Sequence, residues 1–402
     1  MKTTIFSSTR WREAQQRTRF SAVRQLSPES LARQLDAFHA GDLRGAALTW
    51  EAIERRDDVV QSVAAKRKAA AARHGWEILT TEDSPTARRH QEALTAFYRQ
   101  LTAVNALDEN ERGGFQLLVR QMLDAIGKRY AVHELVWQPT PDGMTAEFRF
   151  VPLWFFENRT GRLRFLEQEH ALEGRALEQN GWMITVGPGV MEACSIAYLF
   201  KSLPLRDWLV YCERNGMPGI KGTTDAPPGS AEWEAAREAV ESFGAEFHAL
   251  MGRGTELEAI HMETSGTLPY PQLVERMDRA MVVLWRGADL GTISRGAGVG
   301  ASLQQEESDL LAESDAQLVS EVLQTQVNRP LLRSLFDEEP RATIEVRAGR
   351  TTQPERDLQV YRLAWEMGIP LSAHDFRERF HLAEPTEETA LIGDAKGAQS
   401  RG

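Results

Sequence analysis

The strongest constraint on the fold lies between Leu273 and Phe336, where two helical patterns flank a break of glycines and small residues. Upstream, "LVERMDRAMVVLWR" sets Leu273, Val274, Met277, Met281, Leu284 and Trp285 at the three-and-four spacing of one helix face. Downstream, "SLQQEESDLLAESDAQLVSEVLQTQVNRPLLRSLF" traces a second face through Leu311, Leu318, Val322, Val327, Leu331 and Leu335. As strands, both would scatter these side chains over two faces. The second helix is placed from Leu303, with Glu306, Glu307 and Asp309 in its first turn, where the helix dipole favours negative charge. Pro330 is expected to kink it.

The break itself, "GADLGTISRGAGVGASLQQEE", runs from Gly287 to Glu307. A phosphate-cradling loop would need a Lys and a Ser/Thr after its glycines, and a strand before them. Gly296, Gly298 and Gly300 are followed by Ala301, Ser302 and Leu303, no Lys occurs in the stretch, and a helix precedes it. Nucleotide binding is therefore disfavoured. A linker and a loop that changes conformation both remain open, because glycine adopts backbone angles closed to other residues.

The rest of the chain mixes helix and strand. An Arg-rich start (Arg10, Arg12, Arg17, Arg19, Arg24) reads as a solvated arm or a contact to an acidic neighbour. Ser27–Pro28–Glu29 opens a helix, and Gly75 ends a later one before a strand at Trp76–Leu79. "KRK" at Lys66–Lys68 reads as a solvated face rather than a DNA contact. "YAVHELVWQ" and "TAEFRFVPLWFF" flank the turn "PTPDG", and "NRTGRLRFLEQ" and "GWMITV" add strands, with the aromatic residues taken as core. Val190–Asn215 reads as helix. Gly216–Ser265 reads as strand, helix, strand, its helix starting at Ser230 and carrying Trp233, Ala236, Val240, Phe243, Phe247 and Leu250 on one stripe. "ATIEVRAG" is a strand, "ERDLQVYRLAWEMG" and "SAHDFRERFHL" are helices, and the tail beyond Pro385 is expected to be mobile.

Several function classes lose ground. The net charge of −11 argues against tight nucleic-acid binding, which needs basic faces, though not against a protein that DNA slides past. No apolar run reaches the roughly 20 residues of a membrane span. The N-terminus has no signal-peptide core, and two cysteines suggest neither a metal site nor a disulfide framework, so synthesis in a reducing cytosol is expected. There is no H-E-x-x-H and no G-x-S-x-G. His133 reads as a satisfied structural histidine and Cys212, four residues after Trp208, as a buried thiol. No cofactor, metal or catalytic residue is assigned, and an enzyme is not the expected reading.

"LDAFHAGDLRGAALTWEAIERRDDVVQSVAAKRKAAAARHGWEI", then "YAVHELVW", then "WLVYCERNGMPGIKG" with Trp208, Tyr211, Gly216, Pro218 and Gly222, and finally the helix, glycine-rich loop and acidic helix from Leu273 to Phe336 follow one another in an order that resembles the Mu-like portal proteins of tailed bacteriophages. The likeness runs to about Leu382. It implies an α+β portal-like fold: an arm and α/β wing at 1–189, a first stem helix at 190–215 and a strand–helix–strand clip at 216–269. A second stem helix at 270–286, a tunnel loop at 287–302, a long kinked helix with a wing strand at 303–349, and a small helical crown with a mobile tail at 350–402 complete it. Some members run longer at the C-terminus, which implies a small crown here.

The resemblance further implies a ring, expected to have twelve subunits, at one capsid vertex, through which double-stranded DNA is packaged and ejected. Its implied partners are a terminase large subunit that hydrolyses ATP, the major capsid and scaffolding proteins, and a head-tail adaptor, with no membrane. The loop would change shape as DNA passes, with Thr292, Ser294, Arg295, Gly296, Gly298, Gly300 and Ser302 facing the channel. Arg295, its one cation, would touch phosphate or pair with a neighbouring subunit's acid. Trp233, Val240, Phe243 and Phe247 would form the clip core. A non-channel head component and a nucleotide-dependent enzyme are the alternatives. An axial hole and a hydrolysis assay separate them.

Overall fold

Ser27 and Ser30 exchange hydrogen bonds in a capping box, and with Pro28 in the first turn they start helix α1 (Pro28–His39). The computed structural model describes residues 26–73, 75–141, 143–168, 170–216, 219–241, 255–260, 269–287, 298–347, 354–380 and 382. The chain forms two units, 1–349 and 350–402.

In the larger unit, α2 (Arg44–Arg56) buries Ala46, Ala47, Trp50 and Ile53. The Asp57 carboxylate accepts from the Val60 N–H and so caps α3 (Asp58–Ala72). Gly75, at φ 75°, turns the chain into β1 (Trp76–Thr80), followed by α4 (Pro85–Gln100). A five-stranded sheet comes next. It uses β2 (Thr102–Asn105), β3 (Arg112–Gly113), β4 (Tyr130–Thr140), β5 (Gly143–Val151) and β9 (Trp182–Val186) in the order β3-β2-β5-β4-β9. β4 and β5 form the expected hairpin, in register from Val132↔Val151 to Thr140↔Gly143. α4 packs on β5, while α5 (Phe115–Met122) and α6 (Asp124–Lys128) pack on β4. A short sheet of β6 (Phe156–Glu157), β7 (Arg164–Phe165) and β8 (Arg175–Ala176) stands beside it. The aromatic residues are core: Phe148, Trp154, Phe155, Phe156 and Phe165 are all buried, and Phe156 and Trp182 meet edge to face at 5.7 Å.

The second half returns through α7 (Met191–Gly216), β10 (Gly219–Thr224), α8 (Ala231–Glu241), β11 (Thr255–Ile260) and α9 (Tyr270–Arg286). It then follows α10 (Gly298–Leu323), one wide π-helical turn (Gln324–Asn328) and α11 (Arg329–Phe336), and ends in β12 (Ala342–Val346). β12 pairs antiparallel with β1, closing the unit over some 260 residues of sequence.

Two features of this long helix differ from the sequence expectation. α10 starts at Gly298, not Leu303, so Gly298, Gly300 and Ser302 lie in helix and Glu306, Glu307 and Asp309 fall beyond its first turn. Glycine accepts helical angles, and each added residue extends an existing helix without a new nucleation cost. At Pro330 the helix does not simply bend. Pro330 has no N–H for the preceding turn, and the backbone answers with the wide turn just before it, then continues with Pro330 in the first turn of α11.

That turn projects two amides onto strands and a third onto α4. Gln326 gives and takes hydrogen bonds with the Ile184 backbone at 2.8 and 2.9 Å, occupying the edge of β9 as a neighbouring strand would. Gln324 does the same for Ala342 and Ile344 of β12. Asn328 accepts from the Tyr98 hydroxyl at 2.6 Å, and burial pushes that hydroxyl well above its ordinary pKa although the bond to Asn328 opposes it.

The smaller unit contains α12 (Pro354–Glu366) and α13 (Ala373–Arg379), joined by an aromatic cluster of Tyr361, Phe376 and Phe380.

Candidate functional site

Helices α7 and α9 run antiparallel. Trp208 stacks on Tyr270, Lys201 pairs with Asp278 at 2.7 Å, and Met191 and Trp285 both close on Gly127 of α6. One end of this pair leads into the two-stranded sheet of β10 and β11, six residues in antiparallel register from Gly219↔Ile260 to Thr224↔Thr255. α8 packs on β10. Ser230 starts α8 as expected, its hydroxyl accepting from the Trp233 N–H at 3.2 Å. Trp233 is half-buried and Val240 falls in α8, whereas Phe243 and Phe247 lie outside the described residues.

The other end of the pair leads to residues 288–297. Thr292, Ser294, Arg295 and Gly296 lie outside the described residues, but both anchors of the segment are defined. Gly287 leaves α9 at φ 75°, the left-handed cap glycine favours, within reach of Leu311 and Glu307 of α10. Arg286 donates to the Ser308 hydroxyl at 3.3 Å. Trp285 is fully buried; a Cβ on Gly127 would lie 2.9 Å from its ring. It also meets Cys194, whose thiol is pushed up to about 12 by burial.

Buried ion pairs fix these helices, and the sequence reading missed them. Of the "KRK" run only Lys66 is solvated. Arg67 grips Asp315 of α10 through two bonds of 2.8 and 3.0 Å and donates a third, of 3.0 Å, to the Trp285 carbonyl. Lys68 reaches Glu54 of α2 and Asp124 of α6, and Lys128 reaches Glu51 and the same Asp124. Burial alone would raise the Asp124 carboxyl, but Lys128 and Lys68 overcome it and hold it at about 2. Burial likewise opposes the charge on Lys68, yet Asp124 and Glu54 raise its pKa overall. Lys201 of α7 binds Asp57 and Asp58 at the start of α3 as well as Asp278 of α9. The residues sit at ordinary helix-surface spacing, and only their acidic partners, from 4 to 248 positions away, reveal their role.

A cavity of 520 Å³ beside Lys68 and Lys128 is lined by Glu51, Glu54, Glu111 and Asp124 against Arg55, Lys68, Arg120 and Lys128. Its carboxylates and cations balance, so no ligand charge is selected. Among the described residues no group of His, Cys, Asp and Glu is placed to hold a metal ion.

Two side chains contradict their sequence reading. His133 is buried in β4 but neither ring nitrogen finds a hydrogen-bond partner, and burial pulls its pKa down to about 3, which keeps the imidazole neutral. Cys212 is exposed, and Cys194 is the buried thiol. Beyond Pro204, α7 packs along one side only, and Leu209 is 66% exposed beside Cys212's turn.

A helix pair with a small α/β insertion at one end and a long helix returning from the other is the arrangement the resemblance implied. A family model described as the portal protein of Mu bacteriophage matches residues 47–382. The chain belongs to the Mu-type portal proteins. The Mu-like prophage FluMu protein gp29 of Haemophilus influenzae is 23% identical to this portal over 305 residues, 72% of this chain and 56% of that relative. The chain thus spans about half the length of the curated relative it matches. Among solved structures, a chain from the neck of an empty gene transfer agent (GTA) particle is similar with a TM-score of 0.52, 12% identity, and coverage of 88% of this portal and 94% of that chain. A chain from the virion of the native gene transfer agent particle gives 0.51 and 12%, covering 92% and 99%. At these identities the two structures speak for the fold, which they share over most of its length. No described helix is long and apolar enough to cross a membrane.

Proposed function

We propose that this portal assembles into a closed ring of twelve copies at one capsid vertex and serves as the conduit for double-stranded DNA in packaging and ejection, and as the joint between head and tail. The observation that carries the reading is the antiparallel α7–α9 pair, with β10, α8 and β11 at one end and the anchors of residues 288–297 at the other. α7 and α9 are the stem, β10–α8–β11 the clip, and residues 287–297 the channel loop, with Arg295 touching phosphate or an acid of the next subunit. The five-stranded and three-stranded sheets, the β1–β12 pair and the helices packed on them form the wing, and α12 and α13 a small crown.

Apolar surface supports the ring. Phe200 and Leu209 on α7 are 51% and 66% exposed, and Leu310 on α10 is 64% exposed. Such exposed apolar side chains on elongated helices suit burial against further copies. The clip would meet the terminase large subunit and later the head-tail adaptor, and the wing the major capsid and scaffolding proteins. We read the protein as structural, with ATP hydrolysis left to the terminase.

End-on electron microscopy of the purified protein tests this. Closed rings with an axial hole are expected. Monomers across a wide concentration range by sedimentation, with no rings in the images, would overturn the proposal.

A further inference from the structure

Arg67 of α3 hydrogen-bonds to both helices bounding residues 288–297. Its guanidinium forks onto Asp315 of α10 and donates to the carbonyl of Trp285, in the last turn of α9. Both partners are buried, Asp315 at 3% exposure and Trp285 at 0%. Such a fork has a fixed plane and direction that no single ammonium supplies.

Two-point fixation gives this contact its meaning. Seven residues before Trp285, Asp278 of α9 is held by Lys201, which also binds Asp57 and Asp58 at the start of α3. Arg67 lies near the other end of α3. Helix α9 is therefore pinned to α3 at two places about 10 Å apart along its axis. A slide or a rotation of α9 would break both. Underneath, Gly127 leaves no room for Trp285 to move inward.

Stability alone does not account for an ion pair of this kind. Removing two charges from water costs about what their attraction returns, and apolar pairs of similar volume often replace buried ion pairs without loss. What an apolar pair cannot supply is direction, nor a donor for the Trp285 carbonyl.

We infer that Arg67 is a positioning residue. It locks the end of α9 to the body of α10, and so sets the spacing at which the chain leaves α9 and enters α10 around residues 288–297, a spacing needed to retain packaged DNA. The DNA arm of this inference rests on reading that segment as channel-lining.

The test compares rings of the parent portal with rings carrying Arg67→Met and Asp315→Leu together. This pair leaves no buried charge, whereas Arg67→Gln strands Asp315 and risks the fold. The double variant is expected to assemble, with β4 and β5 amides exchanging hydrogen at the parental rate. Amides of Met281–Gly287 should exchange at least about tenfold faster, as a locally loosened helix end does, and heads built on the variant should lose DNA. Arg67→Lys, which keeps the charge but not the fork, should fall between. Parental exchange at Met281–Gly287 in the double variant would overturn the inference, and so would faster exchange with full DNA retention. If the parent protein formed no channel-bearing ring, the portal reading would fall, while the exchange comparison would still decide what Arg67 does.

Discussion

Asp124→Asn separates the electrostatic part of this fold from its packing. Asp124 accepts from Lys68 at 2.8 Å and from Lys128 at 3.0 Å, and all three side chains are nearly sealed from water. The substitution keeps the shape and removes the charge. Each lysine retains a glutamate, Glu54 for Lys68 and Glu51 for Lys128, so the loss at neutral pH should sit near the lower end of a broken buried pair, about 3 kcal/mol. Part of that loss depends on pH. The Asp124 carboxyl is held at about 2 against an ordinary 3.8, a depressed acid, so its contribution is present above the ordinary value and disappears as pH falls towards 2. The depression corresponds to about 2 kcal/mol. Urea unfolding followed by tryptophan fluorescence should therefore show the gap between parent and variant narrowing by about 2 kcal/mol from pH 6 to pH 2. A gap that stays constant over that range would refute the electrostatic account, and a variant as stable as the parent at pH 7 would refute the network itself.

Lys201→Met should cost about 3–5 kcal/mol, since it leaves Asp57 and Asp278 without their shared cation, and Lys201→Arg should recover much of it in the same unfolding assay. Gly127→Val should destabilise by about 1–3 kcal/mol, because the new side chain would meet the Trp285 ring and Met191; an unchanged melting temperature would show that α6 is free to shift. Gly298→Ala and Gly300→Ala should each stabilise α10 by about 0.5–1 kcal/mol, and a loss in thermal melts would mean that these glycines need angles a helix does not use. Phe243→Ala tests the clip: burial on the stripe with Trp233 predicts a loss of about 3 kcal/mol and a ring defective at its terminase end. Parental stability and packaging would remove Phe243 from that core.

What was legible in the sequence was periodic. The stripe from Leu273 to Trp285 marks α9 as a helix, and the alternation around "PTPDG" gives the β4–β5 hairpin, because a buried face repeats every few residues and a tight turn needs Pro, Asp and Gly together. Pairings across long stretches of chain leave no such mark. Nothing in "WEILT" announces that it will pair with "ATIEV", and nothing in Gln324 or Gln326 says that a wide turn will press them onto two different strands. Charges misled for the same reason. Lys66, Arg67 and Lys68 look alike in sequence, and their fates differ because residues i and i+1 point 100° apart on a helix, so only Lys66 meets water. The acidic cluster at Glu306, Glu307 and Asp309 points to a helix start at Leu303, but glycines only weaken a helix, and α10 begins at Gly298.

The placement of the cations bears on how a ring of this portal would treat DNA. A chain with net charge −11 can still grip a duplex if its lysines and arginines gather on one face. Here two of the three cations of the "KRK" run, Arg67 and Lys68, are spent inside the protein. Arg67, Lys68, Lys128 and Lys201 are all turned inward onto carboxylates. They bind α2, α3, α6, α7, α9 and α10 to one another, so charges that could have met DNA instead hold the helices together. A conduit gains from both halves of that arrangement. Each cation withdrawn in this way is one fewer to release counterions from a duplex in the proposed channel, while the frame gains directional joints that resist load. In such a conduit, rigidity and low friction would compete if both had to come from exposed basic side chains, and burying these four cations removes that competition for them.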